Sequence, residues 1–155
     1  MSLSIVHNDN SAQLETAIVS TVDDPSPTLT TLKQLFDHLG LAEVESPDGT
    51  LAMELPVTQA VVNTNGGLQG GLIATIADVA GGLLVSRDMA FGNGITTTDL
   101  HIRYLRRIDT GPARAVASFV HRGRRSAVVQ VEILRGNGDL AATATVNFAA
   151  LEGRS

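Results

Sequence analysis

The side chains best suited to chemistry lie between positions 63 and 99. Asn63 opens a glycine-rich loop, NTNGGLQGG, and Asp78 follows inside the apolar run LIATIADVAGGLLV. A threonine cluster, Thr96-Thr97-Thr98, stands just before Asp99. A carboxylate in the middle of a buried helix is costly unless it is partnered or used. Two readings of Asp78 therefore stay open: it takes a proton in a reaction, or it faces solvent or pairs with an arginine. Gly70 and Gly71 stand where a helix would open, with backbone N–H groups unsatisfied and the dipole favouring negative charge. Such an end can polarise a carbonyl oxygen and stabilise a developing oxyanion. Tight packing or turn geometry would equally explain the two glycines.

Several other chemistries are excluded. The sequence has no G-x-x-x-x-G-K-[ST] phosphate loop, no G-x-G-x-x-G after a strand and no G-x-S-x-G elbow. Without cysteine there is no thiolate nucleophile, thiolate metal site or disulfide framework. His7, His38, His101 and His121 are scattered without zinc spacing, so no metal is expected. His7 and His38 read as surface residues, and His101 and His121 as packed or surface residues of strands.

Charge is uneven along the chain. Residues 1–60 hold Lys33 against nine acidic residues, whereas residues 101–125 hold seven arginines against Asp109 alone. Arginine's planar fork matches phosphate, so an anionic partner is one reading. A charged, protected sheet edge is the other. Nucleic acid is not expected in a chain of net charge −5 with 3% aromatic residues and no Trp. A length of 155 residues with 43% hydrophobic content suits one folded domain. The longest apolar stretch, Leu72 to Val85, is short for a bilayer span, and the N-terminus lacks a signal-peptide pattern. A soluble cytoplasmic protein that works away from membranes is the expectation.

The elements that must position these groups are legible in the periodicity. Residues 1–27 read as a loosely specified arm, in which Ser11–Val19 suits a short helix broken by Asp-Asp-Pro-Ser-Pro. Thr28–Leu39 reads as an amphipathic helix stopped by Gly40. Leu41–Ser46 and Thr50–Thr58 read as strands joined at Pro47-Asp48-Gly49. A long helix is expected from about Gly71 to Arg87, with Leu72, Ile76, Val79, Ala80 and Leu83 on one stripe. Ala74, Asp78, Gly81 and Gly82 would share its opposite, small-residue face, open to a ligand or a second backbone. After Phe91-Gly92-Asn93-Gly94 the period changes to two. Ile95–Leu105, Ala113–His121, Ser126–Leu134 and Leu140–Ala150 read as consecutive antiparallel strands, the last pair joined by Gly136-Asn137-Gly138-Asp139. The fold class is α+β, an antiparallel sheet wrapped around one long helix.

The run from Asn63 through Gln69-Gly70-Gly71-Leu72 to Asp78 resembles the active-site motif of the hotdog-fold thioesterases. The likeness is strongest to the PaaI-like (phenylacetic-acid-degradation) branch of the 4HBT superfamily. TTTDLHIRYLRRIDTG resembles that branch's "Y/F-L-R-P…G" strand, while HRGRRSAVVQVEI and GDLAATATVNF resemble its last two strands. The resemblance covers roughly residues 32–150. It implies one hotdog domain over 28–151, preceded by the 1–27 arm and followed by a 152–155 tail.

It also implies the hydrolysis of a small, medium-chain or aryl acyl-CoA. Asp78 would act as general base on water or as nucleophile, and Gly70 N–H would bind the thioester oxygen. Asn63 would position water or substrate, and Thr97 would orient the water, with Thr96 and Thr98 as neighbouring alternatives. Gln69 and Gly71 would contact the substrate, and Arg106, Arg107, Arg124 and Arg125 the coenzyme A phosphates. Coenzyme A enters as part of the substrate; no cofactor is implied. A homodimer is implied with its sites at the interface, commonly doubled to a tetramer as a dimer of dimers. Two departures stand out: Gln69 replaces the family's usual histidine, and Arg107 its usual proline. Glutamine keeps a donor and an acceptor but cannot take up a proton near neutrality. Gln69 is thus the one residue that favours a non-catalytic acyl-CoA sensor. A hydratase or dehydratase would need a histidine beside the carboxylate, and none lies between residues 39 and 100.

Overall fold

The computed structural model describes residues 30–88 and 94–151. The expected arm over 1–27 with its short helix, His7, most of the Phe91–Gly94 segment and the 152–155 tail lie outside them. The chain divides into two units, 1–30 and 31–155, and the fold described here is that of the second.

Helix α1 spans Leu32–Leu39. It starts later than the expected Thr28 because Thr31 is its N-cap. Thr31 Oγ1 accepts from Gln34 N–H at 3.2 Å, and Gln34 Oε1 accepts from Thr31 N–H at 3.1 Å. This reciprocal box satisfies two N–H groups at the helix start. Gly40, at φ +73°, closes the helix in a conformation that suits glycine.

Strands β1 (Ala42–Val44) and β2 (Thr50–Leu55) meet at the expected turn, where Gly49 takes φ +76°. Both are shorter than read from the sequence; β2 stops before Pro56, which has no N–H for the ladder. Helix α2 runs Gly70–Asp88, followed by β3 (Ile95–Tyr104), β4 (Ala113–Arg122), β5 (Ser126–Leu134) and β6 (Leu140–Ala150). All six strands form one antiparallel sheet in the order β1-β2-β4-β5-β6-β3. The one departure from a consecutive meander is β3. It pairs with β6 at the far edge rather than with β4, because residues 105–112 carry the chain across to the β2 side.

The concave face of the sheet is lined with small and branched side chains: Ala113, Ala115 and Ala117 of β4, Val129 and Val131 of β5, and Ala144 and Val146 of β6. These let α2 lie close, and the helix buries Ile73, Ile76, Ala77, Ala80, Gly81, Leu84 and Val85 against them. The buried stripe is therefore rotated from the one expected. Leu72, Val79 and Leu83 are only half-buried. Gly81 belongs to the sheet side: a Cβ there would stand 3.1 Å from two ring carbons of Phe148. The sequence misleads here because α2 is apolar on nearly all sides, so hydrophobicity alone does not orient it. At 19 residues α2 is also long and apolar enough to cross a bilayer, although the sheet takes up one whole side of it. Two ion pairs fix its C-terminal end, Arg87 with Glu43 of β1 and Asp88 with Arg122 of β4.

Candidate active site

The glycine-rich loop folds on its own asparagine. Asn63 Oδ1 accepts from Asn65 N–H at 2.9 Å and Gly67 N–H at 3.3 Å. The Asn63 backbone N–H donates to Gly67 O at 2.8 Å, closing the loop. With its oxygen committed, the carboxamide has its NH2 end left to offer a ligand. Arg107 covers this loop, donating from Nη1 to Asn65 O at 2.8 Å and pairing with Asp109 at 2.9 Å. Its stem lies so close over Gly67 that a Cβ there would meet Arg107 Cγ at 2.5 Å. These bonds from Arg107, and one from Thr110, hold the Asp109 carboxyl below the usual range.

Helix α2 begins where this loop ends. Gln69 caps it: the side-chain Oε1 accepts from Gly71 N–H and, at 3.3 Å, from Leu72 N–H. The Gln69 carbonyl accepts from Leu72 and Ile73 N–H at 3.0 and 3.2 Å. Gly70 N–H, by contrast, meets no acceptor among the described residues. It lies in the wall of a cavity of about 520 Å³ that is also lined by Asn63, Gly71, Tyr104, Arg106 and Arg107. One amide donor of the helix start is thus left over, and it borders a space large enough for a ligand.

Asp78 lies a little over two helical turns farther on, about 12 Å along α2. It is half-buried, and its Oδ1 accepts a hydrogen bond from Thr97 Oγ1 at 2.8 Å. The register of β3 explains why Thr97 makes this bond. Thr97 pairs with Phe148, whose ring faces α2. A bulge follows between Thr97 and Asp99, and Thr98 turns to donate to Asn147 O at 3.1 Å. Such a bulge re-aims the side chains on either side of it. No ion pair among the described residues includes Asp78, so the arginine-paired alternative is not the arrangement here.

The arginines expected to form one cluster are spread over the molecule. Arg106 and Arg107 line the cavity, and Arg106 Nη1 donates to Leu140 O at 2.8 Å. Arg124 and Arg125 are exposed in the β4–β5 turn and do not line it. That turn follows Arg122, which is bonded to Asp88 at the opposite end of α2 and stacks 4.1 Å over the Phe119 ring. Arg114 pairs with Glu54 at 3.1 Å. Much of the local arginine excess thus meets acidic partners of the same chain.

Tyr104 was not among the residues singled out from the sequence. Its hydroxyl donates to Gly70 O at 2.9 Å and its ring forms part of the cavity wall. The available signal was its place as the single tyrosine of an aromatic-poor chain. His101 pairs with Thr145, whose side chain lies on the face of the sheet away from α2, so it does not accompany Asp78. No cluster of three His, Cys, Asp or Glu suited to a metal occurs among the described residues.

With an antiparallel sheet wrapped around one long helix, and this geometry at the helix start, the fold is that of the hotdog thioesterases. The chain belongs to the 4HBT thioesterase superfamily, whose family model matches residues 65–142. It is 32% identical over 95 residues to a putative esterase, Ta0293, of Thermoplasma acidophilum, covering 60% of this chain and 70% of that protein. It is 27% identical over 125 residues to the proofreading thioesterase EntH of Cronobacter turicensis, covering 79% of this chain and 89% of that one. Among solved structures it is similar to the BH2602 protein of Bacillus halodurans with CoA. That match has a TM-score of 0.71 and 28% identity, and it covers 96% of this chain and 98% of the other.

Proposed function

We propose that this protein is an acyl-CoA thioesterase of the PaaI-like branch, acting on a small, medium-chain or aryl acyl group through an Asp78-activated water. The observation that carries the reading is a carboxylate held by Thr97 on the same helix whose start presents an uncommitted Gly70 N–H to a cavity, although Asp78 itself does not line that cavity. Similarity to a protein solved with CoA supports coenzyme A as the leaving group. In the reaction, Asp78 takes a proton from water as the oxygen attacks the thioester carbonyl. Negative charge develops on the carbonyl oxygen, where Gly70 N–H donates to it. The C–S bond then breaks, the acid leaves, and the proton on Asp78 returns to the thiolate or to solvent. A thiolate is a good leaving group, so the chemistry needs no cofactor.

Within one chain, Asp78 and Gly70 are too far apart to act on one carbonyl. A second copy resolves this. Among the described residues β3 is a sheet edge with no strand on its far side, and edges of this kind readily accept another strand. If two copies pair antiparallel about a two-fold near Leu100–His101, Thr97 of one faces Tyr104 of the other. Asp78 of one copy then approaches Gly70 of the next. In that arrangement the β4–β5 turn, with Arg124 and Arg125, would come toward the second copy's Arg106, a grouping of guanidinium forks suited to a phosphate-bearing substrate. The working unit in this reading is a homodimer, doubled in a tetramer.

The test is free-thiol release from short, medium, long and aryl acyl-CoAs by the purified protein. Turnover on some members supports the reading and names the acyl class. Coenzyme A binding without turnover on any member would make the protein a binder and overturn it.

A further inference from the structure

The first turn of α2 is gripped from two sides by groups that take no part in the chemistry above. The carbonyl of Gly70 and the N–H of Gly71 belong to one rigid peptide plane. Tyr104 holds the oxygen end of that plane, its hydroxyl donating to Gly70 O at 2.9 Å. Gln69 holds the other end, its Oε1 accepting from Gly71 N–H. The preceding plane, which carries Gly70 N–H itself, is fixed through the Gln69 carbonyl by Leu72 and Ile73 N–H at 3.0 and 3.2 Å. Glycine has the freest backbone of any residue, so a Gly-Gly pair at a helix start would otherwise let its amides swing. The Tyr104 ring also lies across Gly70, 3.6 Å from where a Cβ would stand.

We propose that Tyr104 and the Gln69 side chain are positioning residues that lock the Gly70–Gly71 peptide plane, and so steady the neighbouring Gly70 N–H where it borders the cavity. Donors that stabilise a developing oxyanion act best when they need no reorganisation at the moment of reaction. The clamp supplies that rigidity at a position where the sequence, Gly70-Gly71, would not. It also gives Gln69 a task that needs no titratable group, acting on the backbone rather than on the substrate. The proposal rests on the reading of Gly70 N–H as the oxyanion donor.

The test uses Tyr104→Phe, which keeps the ring and removes the O–H, with Gln69→Ala and Gln69→Glu, which remove and restore the capping oxygen. Two readouts are taken: kcat and KM on the best acyl-CoA, and hydrogen exchange of the Gly71 and Leu72 amides by NMR. Tyr104→Phe is expected to lower kcat about fivefold, the worth of one neutral hydrogen bond. KM should stay within about twofold, since the loss falls on the transition state. Gln69→Ala should speed exchange of the Gly71 amide, whose acceptor it removes, and lower kcat, while the Leu72 amide keeps its bond to the residue-69 carbonyl; Gln69→Glu should restore the Gly71 protection. Wild-type kcat in Tyr104→Phe and Gln69→Ala, with Asp78→Asn inactive, would overturn the clamp and leave the thioesterase reading standing. Full activity in Asp78→Asn would instead overturn that reading. The amide exchange then decides the clamp by itself, and unchanged exchange in Gln69→Ala and Tyr104→Phe overturns it.

Discussion

Replacing Thr97 by valine exchanges a hydroxyl for a methyl group of nearly the same shape. The β-branched side chain that suits a strand is kept. What is lost is the 2.8 Å bond from Thr97 Oγ1 to Asp78 Oδ1. A hydrogen bond to a charged group is worth about 1.5–3 kcal/mol. Thr97 is exposed and Asp78 half-buried, so the lower end applies. At about 1.5 kcal/mol the expected fall in kcat is roughly tenfold. Thr98→Val is the matched control, since the Thr98 hydroxyl bonds Asn147 O on the other side of the bulge. Its kcat should stay within about twofold of wild type. The assay is steady-state thiol release from the best acyl-CoA, with thermal melts of both variants alongside. Wild-type kcat in Thr97→Val, or a larger fall in Thr98→Val, would refute the assignment of Thr97 as the residue that holds the carboxylate.

Three further outcomes follow from the geometry. Gly70→Pro removes the amide donor at the first position of α2, where helices tolerate proline, so it should fold and melt near wild type while kcat falls about 10²–10³-fold. Co-expressing Gly70→Pro with Asp78→Asn should restore activity to about a quarter of wild type. Random pairing makes half the dimers mixed, and each mixed dimer holds one whole site; a site contained in one chain would show no recovery. The third concerns acid stability. Hydrogen bonds from Arg87 hold the Glu43 carboxyl below its ordinary value, against a smaller opposing effect of burial. A depressed carboxyl stabilises the fold above its unfolded value of about 4.3 and loses that contribution as pH falls through the folded one. The pair is well exposed, at 41% and 56%, so it is worth under about 1 kcal/mol. Glu43→Gln should therefore melt about 2 °C lower at pH 7, and the difference should shrink as pH falls below the unfolded value and through the lowered folded one.

The parts of this molecule written into local pattern were legible from the sequence. β5 and β6 have the residue bounds read from their alternation, and Gly40 and Gly49 fall where helix stop and turn require positive φ. Which threonine of the run meets Asp78 is not set by local pattern: the β3 bulge turns Thr97 to Asp78 and Thr98 away, and only the family resemblance points to Thr97. The misses are tertiary. Nothing local tells β3 to join β6, because that pairing is set by the path of residues 105–112 across the fold. The facing of α2 was misread because Leu72 and Val79 are as apolar as Ile73 and Ile76. The bond from Tyr104 to Gly70 spans 34 residues, beyond the reach of any spacing argument. Sequence proximity also hides that, within one chain, β4 carries Arg122 and its neighbours to the other end of the helix from Arg106 and Arg107.

The most direct test of the thioesterase reading is the turnover of Asp78→Asn on the best acyl-CoA at neutral pH, with coenzyme A binding and the melting temperature measured on the same preparation. Asparagine keeps the size of the side chain and an acceptor for Thr97 but cannot take a proton from water. The expected result is a fall in kcat of at least about a hundredfold, the loss typical of a removed catalytic base, with binding and melting unchanged. Equal turnover by the variant and the wild type would contradict the account, because the proton would then be taken by a group other than Asp78.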